Sequence, residues 1–98
     1  MRRTIVFAPQ AQAEFDEAFD WYEAQRIGLG TDLVERVQEV LERIIDSPNL
    51  YEEVAPNVRR AAVRRFPYPV FYRAEAERVV ILALFHGKRD PQIWQDRL

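Results

Sequence analysis

Apolar and polar positions recur along this chain in two rhythms, helical through the first half and extended through the second. Arg3-Thr4-Ile5-Val6-Phe7 is a β-branched and aromatic run closed by Ala8-Pro9, which predicts a strand. Pro9 can then open a helix, because a first helical residue has no use for the N–H that proline lacks. Ala11, Phe15, Ala18, Phe19 and Tyr22 follow at helical spacing, with Glu14, Asp16, Glu17, Asp20 and Glu23 between them. Gly28-Leu29-Gly30 breaks the pattern. A second helix is predicted from Thr31 to Asp46. Its apolar set of Leu33, Val34, Val37, Val40, Leu41, Ile44 and Ile45 covers an arc of about 140°. So wide an arc fits a helix that touches a sheet and a neighbouring helix at once. Ser47-Pro48-Asn49 stops it.

Residues 49–57 read as a loop, and three strand-like runs follow: Val58–Phe66, Tyr68–Ala74 and Arg78–His86. Pro67 separates the first two, and Glu75-Ala76-Glu77 makes a short turn before the third. The third run is apolar on both alternating faces, as a strand covered on both sides would be. Pro69 cannot donate to a ladder, so its strand should lie at an edge or begin there. Asp90-Pro91 supplies an N-cap and a first-turn proline for a short C-terminal helix through Ile93 and Trp94. The order is β-α-α-β-β-β with a C-terminal stub. It predicts an α+β fold, an antiparallel sheet packed on an αα-hairpin.

The 98 residues leave room for one domain, expected to span 1–98. At 48% hydrophobic and 31% charged, the chain can build a core and is not of disordered composition. The absence of cysteine removes disulfide scaffolds, thiol catalysis and cysteine-based zinc sites, and suits the cytoplasm. The longest apolar run, Val79 to Phe85, is far short of the roughly 20 residues of a membrane span. Arg2-Arg3 is followed by too short an apolar stretch before Pro9 for a signal segment. Charge is the composition's most uneven feature. Residues 1–57 hold 5 arginines against 12 carboxylates, and residues 58–98 hold 9 cations against 4. A net of −2 thus divides into an acidic helical half and a basic strand half that could meet phosphate or an acidic partner.

Several chemistries drop out. With 3 glycines there is no glycine-rich phosphate loop, and the one serine, Ser47, sits beside a proline far from the one histidine. No ligand spacing supports a metal site, and no cofactor is expected. The acidic residues of the first helix read as a solvated face. What remains is an arginine array. Arg59-Arg60, Arg64-Arg65 and Arg73 fall on adjacent predicted strands, and His86, Lys88 and Arg89 end the third. Strand alternation places Arg60 and Arg64 on one face and Arg59 and Arg65 on the other. An open sheet face bearing guanidinium groups could grip nucleic acid or an acidic protein, or the arginines could simply pair with the acidic helices. His86 could serve as a general acid/base, or be a hydrogen-bonded strand-end residue. Trp21 lies about 60° off the apolar stripe of its helix. With Trp94 it is a candidate binding anchor, or a residue closing an edge of the core.

These residues resemble the RelE/ParE family of type II toxin–antitoxin toxins. The resemblance is carried in order by Ala13-Glu14-Phe15 with Trp21-Tyr22-Glu23, Gly28-Leu29-Gly30, and Ile44 through Pro48. It continues through Arg65-Phe66-Pro67-Tyr68 with Val70-Phe71-Tyr72-Arg73, then Ile81-Leu82-Ala83, His86, and Arg89-Asp90-Pro91 with Trp94. It implies a toxin encoded beside a cognate antitoxin whose C-terminal region wraps it. ParE-like members poison DNA gyrase. RelE-like members enter the ribosome and cut mRNA with basic sheet residues and a tyrosine or histidine near the C-terminus. Here one lysine, Lys88, no tyrosine beyond Tyr72 and an acidic net charge depart from the RelE pattern, so the chain looks closer to ParE. On that reading no residue is catalytic. Arg60, Arg64, Arg73, Lys88, Arg89 and Trp94 would meet the target, and Trp21, Val34, Leu41 and Ile45 the antitoxin. The alternatives are an endoribonuclease using Arg65 and His86, and a non-toxic homologue that binds only its antitoxin.

Overall fold

Pro9 opens the first helix, as its position after a strand run predicts. In the computed structural model, which describes residues 3–84, strand β1 (Thr4–Phe7) leads directly into α1 (Pro9–Gln25). A tight turn then leads into α2 (Leu29–Asp46). Four strands follow: β2 (Glu52–Ala55), β3 (Val58–Ala61), β4 (Val70–Ala74) and β5 (Arg78–Leu84). The predicted C-terminal helix lies outside the described residues.

The helical hairpin is joined by a carboxylate. Glu23, near the end of α1, accepts the Gly28 N–H at 3.0 and 3.2 Å and the Gly30 N–H at 2.9 Å. Those are orphan donors at the start of α2, where a negative charge also suits the helix dipole. Gly28 takes φ +93°, a conformation glycine adopts without a steric penalty. Gly30 is needed for a different reason: a Cβ there would stand 2.9 Å from the Phe19 ring.

The α+β layout holds, with two differences from the sequence reading. The sheet has the order β1-β5-β4-β3-β2, and β1 runs parallel to β5 while the other pairs are antiparallel, so the sheet is mixed. The expected loop at 49–57 also contains a strand, β2. It is short, begins with Glu52-Glu53 and is exposed there, so no apolar alternation marks it. Its pairing comes from a two-residue hairpin at Pro56-Asn57, with Asn57 at φ +63°. Proline followed by a positive-φ residue is the pattern of a type II turn.

The strand expected over Val58–Phe66 ends at Ala61. Beyond it Val63 turns into the helix-side core, Phe66 packs against that core, and the Phe66 N–H closes a turn on the Val63 carbonyl at 3.3 Å. With Pro67 and Pro69 following, the chain re-enters the sheet only at Val70, directly after the proline.

Helix residues Ala11, Ala18, Leu33, Val37, Val40 and Ile44 bury against Val70, Tyr72, Val79, Ile81 and Leu84 on the near face of the sheet. The opposite face carries a second buried cluster of Val58, Phe71, Val80, Leu82 and Ala83. Both faces of β5 are therefore buried, as its continuous apolar run requires. A bulge makes this possible. Phe71 pairs with Ala83 and Tyr72 with Ile81, so Leu82 is an extra residue that joins Ala83 on the far face.

Tyr72 ties the two layers together. It is fully buried, and its hydroxyl donates to the Pro48 carbonyl at 2.6 Å, anchoring the chain just after α2. Burial pushes its pKa up to about 12; the nearby Arg59 charge opposes that rise and Tyr51 adds to it. The unfolded phenol therefore loses its proton first. Stability from this group is whole below pH 10 and falls as pH rises toward 12, by on the order of 2–3 kcal/mol. Tyr72→Phe is expected to lower neutral-pH stability by about 1–3 kcal/mol, because the Pro48 carbonyl loses its donor. It should also flatten that alkaline slope. Urea unfolding of both proteins at pH 7 and pH 11 checks this; equal slopes would show that Tyr72 is not the titrating group.

Candidate functional site

Two surfaces collect the residues singled out in the sequence. The first lies where α2 passes the outer edge of the sheet. Val34, Gln38, Leu41 and Ile45 form one stripe of α2, beside the stripe buried in the core. Leu41 and Ile45, both half-buried, line an open groove of about 620 Å³ together with Ile5 of β1. Val34 does not line it. Glu35, Glu39 and Glu42 also line the groove, against the single cation Arg36, so its polar lining is acidic. Among the described residues β1 is an edge strand, paired with β5 on one side only. Ile5 was not foreseen, since a strand-edge residue becomes part of a groove only once β1 is seen to end up beside α2. Trp21 stands apart on α1, 56% exposed, with its ring edge-on to Tyr22 at 4.9 Å.

The second surface is the face of the sheet turned away from the helices. Here the structure corrects the expectation of an open basic sheet. The centre of that face is the buried apolar cluster around Phe71 and Leu82, and the arginines sit around it. Arg60, opposite Phe71 in the ladder, shares that face, and its guanidinium meets Glu52 at 3.4 Å. Arg73 shares it too and meets Glu75 at 3.1 Å. Arg78 binds the same carboxylate at 2.6 Å, and the Arg3 Nε–H donates to the Glu75 carbonyl at 2.7 Å. The Arg78 guanidinium, with Arg73 beside it, holds the Glu75 carboxyl below its usual range. This hub was not foreseen, because it joins the two ends of a hairpin to the start of β1.

Arg64 does not share a face with Arg60, because β3 has ended before it. From the turn it reaches Glu39 of α2 at 3.6 Å, so its charge is met by the acidic helix. Arg59 and Arg65 are separated for the same reason. Arg59 donates to the Tyr51 carbonyl at 2.6 Å, whereas Arg65 occupies the turn at φ +73° and borders a small cleft beside Tyr22. His86, Lys88, Arg89 and Trp94 lie outside the described residues. Among the described residues, no three His, Cys, Asp or Glu side chains gather as a metal would require, and no helix is long and apolar enough to cross a membrane.

A helical hairpin on a five-stranded mixed sheet is the fold of RelE/ParE-type toxins. The chain is similar to the toxin fold in the chromosomal ParDE toxin–antitoxin system of P. aeruginosa. The TM-score is 0.73 at 18% identity, over 86% of this chain and 95% of that one. It is also similar to an arginine-to-alanine mutant of E. coli toxin RelE in complex with the antitoxin peptide RelBc. There the TM-score is 0.68 at 14% identity, over 100% and 96% of the two chains. At such identities the likeness is one of fold. The family of ParE toxins of type II toxin–antitoxin systems, parDE, matches residues 5–91. The chain belongs to that family and is a type II toxin. No curated protein matches it closely in sequence.

Proposed function

We propose that this toxin acts without catalysis, by binding and poisoning DNA gyrase, and that a cognate antitoxin neutralises it. The observation that carries the reading is membership of the ParE family over nearly the whole chain. The electrostatics point the same way. A ribonuclease needs cations free to hold a phosphodiester and its developing charge. Here Arg60 and Arg73, around the buried apolar centre of the sheet's outer face, and Arg64, which reaches α2, each face a carboxylate of their own chain, whereas Arg65 has no such partner among the described residues. On this reading Arg60, Arg73, Lys88, Arg89 and Trp94 meet the target, and Arg64 drops from that set.

The antitoxin finds its place in the groove beside β1. A segment with apolar side chains for Ile5, Leu41 and Ile45 and basic side chains for the glutamates would fit it. An extended stretch of the same segment could pair with the outer edge of β1, which has no partner among the described residues.

The mechanism is tested at His86. Positioned general acid/base catalysis is worth roughly 10²–10⁴ in rate, so a histidine-dependent nuclease would become nearly harmless as His86→Ala. A gyrase poison spreads its binding over a surface and should lose about 1 kcal/mol unless His86 is a hot spot. His86→Ala is expected to stay toxic. The wild-type protein should trap gyrase–DNA cleavage complexes in a purified assay and leave ribosome-bound mRNA intact. Ribosome-dependent mRNA cutting that disappears in His86→Ala would establish the nuclease instead.

A further inference from the structure

A second cleft, of about 310 Å³, opens between the α1–α2 junction and the turn after β3. Its lining includes three guanidinium groups, Arg26, Arg36 and Arg65, and a single carboxylate, Asp32. The excess of two positive charges survives a count of the neighbours: Arg36 pairs with Glu39, but Glu39 also holds Arg64. Arg26 and Asp32 stand 3.9 Å apart with both side chains more than half exposed, a separation that spends little of either charge.

The arginines are not equally free. The Arg36 Nε is shut off from solvent, without an acceptor among the described residues, and its Nη1 is held by Glu39, so Arg36 contributes charge to the cleft and not a free donor. Arg65 has no hydrogen bond or ion pair among the described residues. It also sits at φ +73°, in the third position of the turn that Phe66 closes on Val63. That position favours glycine, and an arginine there is a strained backbone for which packing offers no reason. Tyr22 and Phe66, edge-to-face at 5.0 Å, make one wall apolar and fixed, which strengthens any charge pairing beside it.

We propose that this cleft is a binding site for a phosphate dianion, either free or as the monoester of a small organic group. A phosphate monoester carries about −1.5 to −2 at neutral pH, matching the excess charge, and the guanidinium fork suits its oxygens. The volume lies at the small end of ligand cavities, roughly 300–1,000 Å³, which admits a phosphate with a modest substituent. The site is independent of the gyrase reading and shares only Arg36 with the groove beside β1.

The test uses the full-length toxin, titrated calorimetrically and by thermal melting at constant ionic strength, with inorganic phosphate and then a nucleoside 5′-monophosphate. Saturable binding at one site is expected, weakened at least about 10-fold in Arg65→Gln by loss of a bidentate contact. Arg65→Lys, which keeps the charge without the fork, should fall between the two. Arg65→Gly separates binding from folding. Glycine is at ease at positive φ, so the phosphate-free melting temperature should hold or rise while the response to phosphate disappears. A monophosphate that competes with inorganic phosphate identifies the organic ester as a ligand; one that fails to compete leaves the free ion. The proposal is overturned if chloride or acetate matches phosphate, or if Arg65→Gly binds as the wild type does.

Discussion

Leu41→Asp combined with Ile45→Asp is expected to leave a toxin that folds and kills but that its antitoxin no longer silences. Both side chains line the groove beside β1 without being fully buried. Ile45 stands outside the core, and Leu41 also touches the edge of the core that Leu33, Val37, Val40 and Ile44 build, so its change carries a modest cost in stability. A carboxylate at either position adds charge to a lining that already holds three glutamates. It also removes the apolar contact a partner would bury. Truncating one central anchor costs about 2 kcal/mol or more, so two should weaken the complex by on the order of 10³-fold. Calorimetric titration of the double variant with the cognate antitoxin gives the number, and co-expression gives the phenotype. A thermal melt of the free toxin confirms that the fold persists. Trp21→Ala is the companion measurement, because Trp21 stands on α1, apart from the groove. If the double variant binds as tightly as the wild type while Trp21→Ala does not, the antitoxin sits on α1 instead.

The largest loss of stability should come from Gly30→Val. The first added carbon would lie 2.9 Å from the Phe19 ring and equally close to the Glu23 carboxylate, so either the helices part or both side chains leave their positions. Overpacking of this kind costs about 1–3 kcal/mol. Displacing Glu23 also weakens its hydrogen bonds to Gly28 and Gly30, and such charged bonds are worth roughly 1.5–3 kcal/mol. Together they remove on the order of 3–6 kcal/mol from a fold whose total stability is typically 5–15. Gly28→Ala is the contrast. No atom lies within 4 Å of its Cβ position, so only the strain of φ +93° remains, about 1–2 kcal/mol. Urea midpoints of the two variants decide the matter, and equal midpoints would mean that the helices are not in close contact at Gly30.

Local signals were legible and long-range ones were not. Both helices, β1, β4 and β5 follow from periodicity and from proline and glycine punctuation, and the unbroken apolar run of β5 announced a strand buried on both faces. β2 left no trace because a charged edge strand has no pattern of its own; its pairing is created by the Pro56-Asn57 turn. The parallel pairing of β1 is decided by where the helical hairpin delivers the chain, which no local window contains. The arginine array was visible as composition, but its compensation was not. Strand alternation stops at Ala61, where the chain leaves the sheet, so Arg64 and Arg65 do not keep the faces that alternation predicts for them. The glutamates that meet these arginines come from α2, from β2 and from the β4–β5 turn. Leu41 and Ile45 were legible from helical spacing, whereas Ile5 needed the tertiary structure to join them.

The parallel pair of β1 and β5 also sets when the molecule can finish folding. Thr4 waits for Arg78 and Phe7 for Ile81, so the first described strand stays without its partner until the last described strand has been synthesised. At a translation rate of roughly 5–20 residues per second, that delay lasts several seconds on the ribosome. Through that interval the helical hairpin can form from local contacts, while the apolar face it will lay on β5 stays uncovered. A nascent toxin is therefore incomplete, and least able to harm, for most of its synthesis. On the proposed reading, an antitoxin present at the time of release would meet β1 once its inner edge is paired with β5 and while its outer edge, among the described residues, has no partner.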